Sequence, residues 1–112
     1  MVITREAFLT QLGYSVTDSL LKQLEKVSGN TPKFDQISSH IIALNDNLKH
    51  YDSFIALSSS HDFLKIKNQS NGELTAQVNE LINNWAKKYK IELEKVSGKE
   101  TFYIKGYEKS LS

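Results

Sequence analysis

Residues 35–67 read DQISSHIIALNDNLKHYDSFIALSSSHDFLKIK, and the change of apolar period inside this stretch decides the fold class. Ile37, Ile41, Leu44 and Leu48 recur at steps of four, three and four, the spacing of one helical face, so a helix is expected from near Asp35 to near His50. Beyond it the period drops toward two. Phe54 to Leu57 is a short apolar run, and Leu64 and Ile66 alternate with Phe63, Lys65 and Lys67. Joined by Ser58-Ser59-Ser60-His61-Asp62, five residues rich in turn formers, the two runs read as a hairpin.

The same order recurs downstream. Ser70-Asn71-Gly72-Glu73 has the spacing of a capping box, and Leu74, Val78, Leu81, Trp85 and Tyr89 follow on one helical face. Lys87, Lys88 and Lys90 suit the negative end of that helix dipole. Ile91 and Leu93 then alternate with Lys90, Glu92 and Glu94, and Phe102 and Ile104 with Thr101, Tyr103 and Lys105, which reads as a second hairpin turning near Ser97-Gly98. Sliding the chain by 37 pairs Ile37 with Leu74, Ile41 with Val78, Leu44 with Leu81, Leu48 with Trp85, Phe54 with Ile91 and Ala56 with Leu93. A slide of 38 continues with Leu64 on Phe102 and Ile66 on Ile104. The matches mark an internal pseudo-repeat, although shared periodicity alone forces many of them.

Upstream lie two more helical stripes. Phe8, Leu9 and Leu12 follow Thr4 as N-cap and stop at Gly13; Leu20, Leu21, Leu24 and Val27 follow Ser15-Val16-Thr17-Asp18, a second capping-box spacing, and stop at Gly29 with Pro32 beyond. Leu-Glu-Lys-Val-Ser-Gly occurs twice, at 24–29 and 93–98, and context assigns the first copy to a helix end and the second to a strand and turn. The expected fold is therefore α+β. A helical pair over 1–30 precedes an α-β-β-α-β-β sandwich over 35–107 with a four-stranded antiparallel sheet, the order of a ferredoxin-like sandwich whose first strand has moved to the end. At 112 residues the whole chain is expected to be one domain.

Composition narrows the function. There is no cysteine, which removes disulfides, thiol nucleophiles and Cys-based zinc sites. No apolar run approaches a membrane span, and Met1-Val2-Ile3-Thr4-Arg5-Glu6 lacks the plan of a signal peptide, so a soluble, cytoplasmic protein without membrane contact is expected. His40 and His50 would stand roughly 80° apart around one helix and cannot chelate as an i, i+4 pair. His61-Asp62 lies in a turn, where local hydrogen bonding is the ordinary use of such a pair. The five glycines are scattered and form no phosphate-cradling loop, and Ser58 to Ser60 lack the glycines of a nucleophile elbow. No catalytic residue, metal ligand or cofactor is assigned, and the chain is read as a non-enzyme.

What remains is a surface. If Phe54, Ala56, Leu64, Ile66, Ile91, Leu93, Phe102 and Ile104 meet the helices, the other face carries Ile55, Leu57, Phe63, Lys65, Lys67, Tyr103, Lys105 and Tyr107, with Glu92 and Glu94. That face is too apolar to stand in water. The N-terminal helices, a second copy or a partner protein, or a nucleic acid are the occupants to weigh. A protein partner or homodimer is the leading expectation. Single-stranded nucleic acid is the alternative, because aromatics interleaved with lysines on a sheet stack bases. Against it stand one arginine, a net charge of +1 and a pI near 7.9, though residues 63–112 hold nine basic and six acidic side chains. A winged helix, with the third helix in a major groove, is a further form of that alternative; the helix's one cation, Lys49, and its interior acid, Asp46, speak against it.

Overall fold

The structure is a computed structural model and describes residues 3–58 and 61–107. Among the described residues, four α-helices, α1 (Arg5–Gln11), α2 (Asp18–Asn30), α3 (Phe34–Leu48) and α4 (Glu73–Tyr89), accompany four strands, β1 (Phe54–Leu57), β2 (Leu64–Lys67), β3 (Ile91–Lys95) and β4 (Thr101–Tyr107). The strands form one antiparallel sheet in the order β1-β2-β4-β3, so each hairpin contributes its second strand to the centre. This is an α+β fold. Helices α3 and α4 pack on each other and on one face of the sheet, and their buried stripes join Ile55, Leu57, Leu64, Ile66, Phe102 and Ile104 in a single apolar core.

The two Leu-Glu-Lys-Val-Ser-Gly copies separate as their neighbours dictate. The first lies inside α2, where Leu24 and Val27 are buried; in the second, Leu93–Lys95 are strand and the rest turns toward β4. Both capping boxes are corrected. Thr17, not Ser15, caps α2, its Oγ1 accepting from Leu20 N at 3.1 Å. Gly72 stands at the N-cap of α4 with φ +61, because Ser70 turns back and gives both its amide and its hydroxyl to Asn68 Oδ1. The stripe of α4 is rotated accordingly: Val78, Ile82, Trp85 and Ala86 are buried while Leu74 is 43% exposed.

The phase of β1 is also reversed. Ser58 N donates to Phe63 O at 3.1 Å, so these residues close the ladder and Leu57 pairs with Leu64, one position later than a five-residue turn would give. A slip of one residue moves a strand's whole apolar set to the other face. Ile55 (1% exposed) and Leu57 (8%) therefore lie in the core, and Phe54 and Ala56 take the outer positions expected for them. Ser59 and Ser60 of the expected turn lie outside the described residues.

The helical pair does not cover the outer face. Helices α1 and α2 pack on each other and on α3, extending the helical layer past the sheet. Gln23 Nε2 donates to Ser58 O at 3.0 Å and Asn30 Nδ2 to Asp62 O at 3.1 Å, which sets α2 across the end of the sheet where β1 turns into β2. This placement leaves α3 central, with Phe34, Ile37, Ile41, Leu44 and Leu48 buried against α1, α2, α4 and the sheet. The outward side of α3 keeps Asp35, Gln36, Ser39, Asp46 and Asn47 exposed, and no lysine or arginine lies within the helix.

The α1–α2 connection and α3 together seal an edge. Because Ser58 is in a hydrogen-bonded pair with Phe63, the alternate amides of Ile55 and Leu57 point away from β2. Ile55 N donates to Asn45 Oδ1 at 2.9 Å and Leu57 N to Tyr14 Oη at 3.0 Å, so the exposed side of β1 is occupied by side chains. Tyr14→Phe is expected to cost about 1 kcal/mol and to speed hydrogen exchange at the Leu57 amide. Unchanged exchange there would remove the seal.

Candidate functional site

The outer face is built from alternate residues of the central strands. Lys65 stands between Ala56 and Tyr103, and Lys67 between Phe54 and Thr101. Tyr103 is the hub. The ring of His61 meets it edge-on at 5.2 Å between centroids, and that of Phe63 lies tilted at 6.1 Å. Lys105 reaches over Phe63, its Nζ 4.0 Å from the ring centroid, and also pairs with Glu94 at 3.2 Å.

Lys105 reaches both because of a bulge. Leu93 pairs with Ile104 but Glu92 with Gly106, so Lys105 is the extra residue on β4 and is re-aimed by the local kink. The same irregularity corrects the position of Tyr107. Paired residues share a face, and Tyr107 sits opposite Ile91, which is buried in the core, so its register removes it from the side of Tyr103. Of the expected face, then, Phe63, Lys65, Lys67, Tyr103 and Lys105 are brought together, and Ile55, Leu57 and Tyr107 are not.

Two shallow hollows flank Tyr103. One, of about 270 Å³, lies among His61, Phe63, Glu94, Tyr103 and Lys105; the other, of about 180 Å³, is bounded by Lys65, Lys67, Val96, Lys99 and Thr101 together with Tyr103. Both are smaller than the ~300–1,000 Å³ of ordinary small-molecule sites, so the geometry suits a surface contact rather than enclosure of a metabolite. Charge divides between them. Around the first, Glu94 offsets Lys105; around the second, Lys65, Lys67 and Lys99 make no ion pair among the described residues. Lys99 was invisible as a site residue because it lies in the turn, outside the alternation that marks a face.

The histidines stay apart. His40 stacks on Tyr89 at 3.8 Å and 17°, His50 is in a short 3-10 turn after α3, and His61 rests on Tyr103. Among the described residues, no three His, Asp or Glu side chains are placed to share a metal ion, and no helix is long and apolar enough to cross a membrane.

A polar cluster at the far end of the sheet was not foreseen. Asn68 Nδ2 donates to Thr75 O at 3.0 Å and to Asn79 Oδ1 at 2.8 Å, while Asn79 Nδ2 donates to Glu100 Oε2 at 2.7 Å. Ser53 Oγ accepts from Gln69 N, and Asn68 N donates to Glu100 O. Every hydrogen bond ties β1, β2, α4 or the β3–β4 turn to another, which reads as bracing for the central strands that carry the face. Its only trace in sequence is a run of small polar residues where a plain loop is the ordinary reading. Compared with protein-family models, curated proteins and solved structures, the chain matches none, so its functional reading rests on this face and its chemistry.

Proposed function

We propose that the protein is a noncatalytic interaction module whose working surface is the outer face of the sheet, and that this face takes a protein partner presenting acidic and apolar side chains. The observation that carries the reading is the uncovered Tyr103 cluster beside Lys65, Lys67 and Lys99, cations with no ion pair among the described residues. Tyrosine supplies much contact area with few torsions to freeze, and such residues dominate interface energies. Self-association through this face is the weaker form of the same idea, since two copies would set the three lysines near one another. Removal of Ile55 and Leu57 to the core lowers the apolar surplus but leaves its aromatic centre intact.

A peptide alternating Glu and Phe, titrated against the isotope-labelled protein, tests the reading. Shifts are expected at Lys65, Lys67 and Tyr103, and Tyr103→Ala is expected to weaken binding at least tenfold, about 1.4 kcal/mol. Equal binding by that variant, or no shifts at millimolar peptide, would overturn it.

One arrangement favours a second reading, single-stranded nucleic acid: the rings of Phe63 and Tyr103 stand between Lys65 and Lys105 on adjoining strands. A labelled oligo-thymidine strand would then bind with steep salt dependence and lose affinity in Lys65→Glu. The acidic-protein reading predicts no such binding at moderate salt.

A further inference from the structure

We infer that the outer edge of β3 receives an extended basic segment of a partner protein as a fifth strand. This edge adjoins the outer face and shares Glu94 with it, but the proposal does not depend on the reading of that face.

The two edges of the sheet differ. On β1 the outward amides of Ile55 and Leu57 are taken by Asn45 and Tyr14. On β3, Val96 N donates to Thr101 O at 2.8 Å, so Val96 and, two back, Glu94 face β4, and the N–H and C=O groups of Leu93 and Lys95 point outward. No hydrogen bond reaches these groups among the described residues. Below this edge a groove of about 430 Å³ runs between α4 and β3, lined by Asn83, Ala86, Lys87, Ile91 and Leu93. An added strand would bond to the free backbone groups and drop alternate apolar side chains into the groove.

Charge selects the occupant. Glu92 and Glu94 are exposed along this edge, and Glu92 makes no ion pair among the described residues. A second copy pairing antiparallel about Leu93 sets Glu92 opposite Glu94; about Glu94 it opposes two glutamates, and about Lys95 two lysines. Like charges directly opposite destabilise a strand pair, so the edge is protected against its own copy. A foreign strand with Lys or Arg at alternate positions turns the same glutamates into attraction.

The probe is an acetylated, amidated peptide alternating Lys and Val over seven residues, with the matching Glu-Val peptide as control. Hydrogen exchange read by NMR is expected to slow at Leu93 and Lys95 in the full chain with the Lys-Val peptide alone. Lys95→Pro removes an outward donor and no bond to β4, and is expected to weaken binding at least tenfold while the fold is retained by circular dichroism. Glu92→Lys with Glu94→Lys should exchange the preference for the Glu-Val peptide. Unchanged exchange at Leu93 and Lys95 with millimolar peptide, equal binding by Lys95→Pro, or a concentration-dependent dimer whose exchange is slowed at this edge would each overturn the proposal. The Tyr103→Ala variant should bind the Lys-Val peptide normally, which separates this result from that for the outer face.

Discussion

Trp85→Ala is expected to lower unfolding free energy by about 3–5 kcal/mol, a large share of what a small domain has to lose. Trp85 is only 8% exposed, and its Nε1 donates to His40 O on α3 at 3.0 Å, so one side chain both fills the seam between α3 and α4 and pins it. Its ring also meets Tyr89 edge-on at 6.3 Å, behind the Tyr89–His40 stack. Truncation leaves a cavity, frees a carbonyl and unseats that stack. Trp85→Phe keeps most of the volume and should show a smaller loss, the missing hydrogen bond accounting for about 1 kcal/mol of it. Because Trp85 is the only tryptophan, urea unfolding must be followed by circular dichroism rather than by indole fluorescence. A loss below 1 kcal/mol for the alanine variant would place Trp85 outside the core.

Elements were legible in this chain wherever polar residues broke the apolar pattern, and illegible where they did not. In β2, Lys65 and Lys67 bracket Ile66, and the inward set could be read directly. Phe54-Ile55-Ala56-Leu57 offers no such contrast. Its phase is set by the pairing of Ser58 with Phe63, a property of the turn and not of the strand, and this reversed the assignment of Ile55 and Leu57. The bulge at Lys105 is hidden for a similar reason: the alternation of Phe102, Tyr103, Ile104 and Lys105 continues smoothly into it, and only the partner strand shows that Tyr107 has changed sides. In α4 the Ser70 hydroxyl had two possible partners, the helix's own amides and Asn68. The tertiary partner prevailed, and the stripe turned to bury Ile82 instead of Leu74. Phe63, Lys65, Lys67, Tyr103 and Lys105 come to one face because they lie on or next to the two central strands, where alternation is unambiguous. The edge of β3 was out of reach, since it depends on which amides face outward.

Gly106→Ala is expected to be as damaging as the loss of Trp85, through backbone rather than volume. Gly106 has φ +128, a conformation that L side chains rarely adopt, and an added Cβ would lie 2.5 Å from Pro32 Cδ and 2.8 Å from Pro32 N. Strain of about 1–3 kcal/mol from the dihedral and about 1–3 kcal/mol from overpacking act together. Relief by movement is costly, because Tyr107 N donates to Pro32 O at 3.1 Å and holds the end of β4 against the α2–α3 joint. Thermal or urea unfolding of the variant measures the sum. The two contributions are separable: Pro32→Ala removes the Cδ contact but not the backbone conformation, so the double variant should recover part of the loss and no more. Full additivity would show that the contact with Pro32 Cδ is not the cause. Because Gly106 pairs with Glu92 at the bulge that re-aims Lys105, the variant should also disturb the Lys105–Glu94 pair and the approach of Lys105 to Phe63. The outer face and the β3 edge thus share one mechanical anchor. A close contact between a proline and a glycine far apart in sequence holds the bulge on which both surfaces depend.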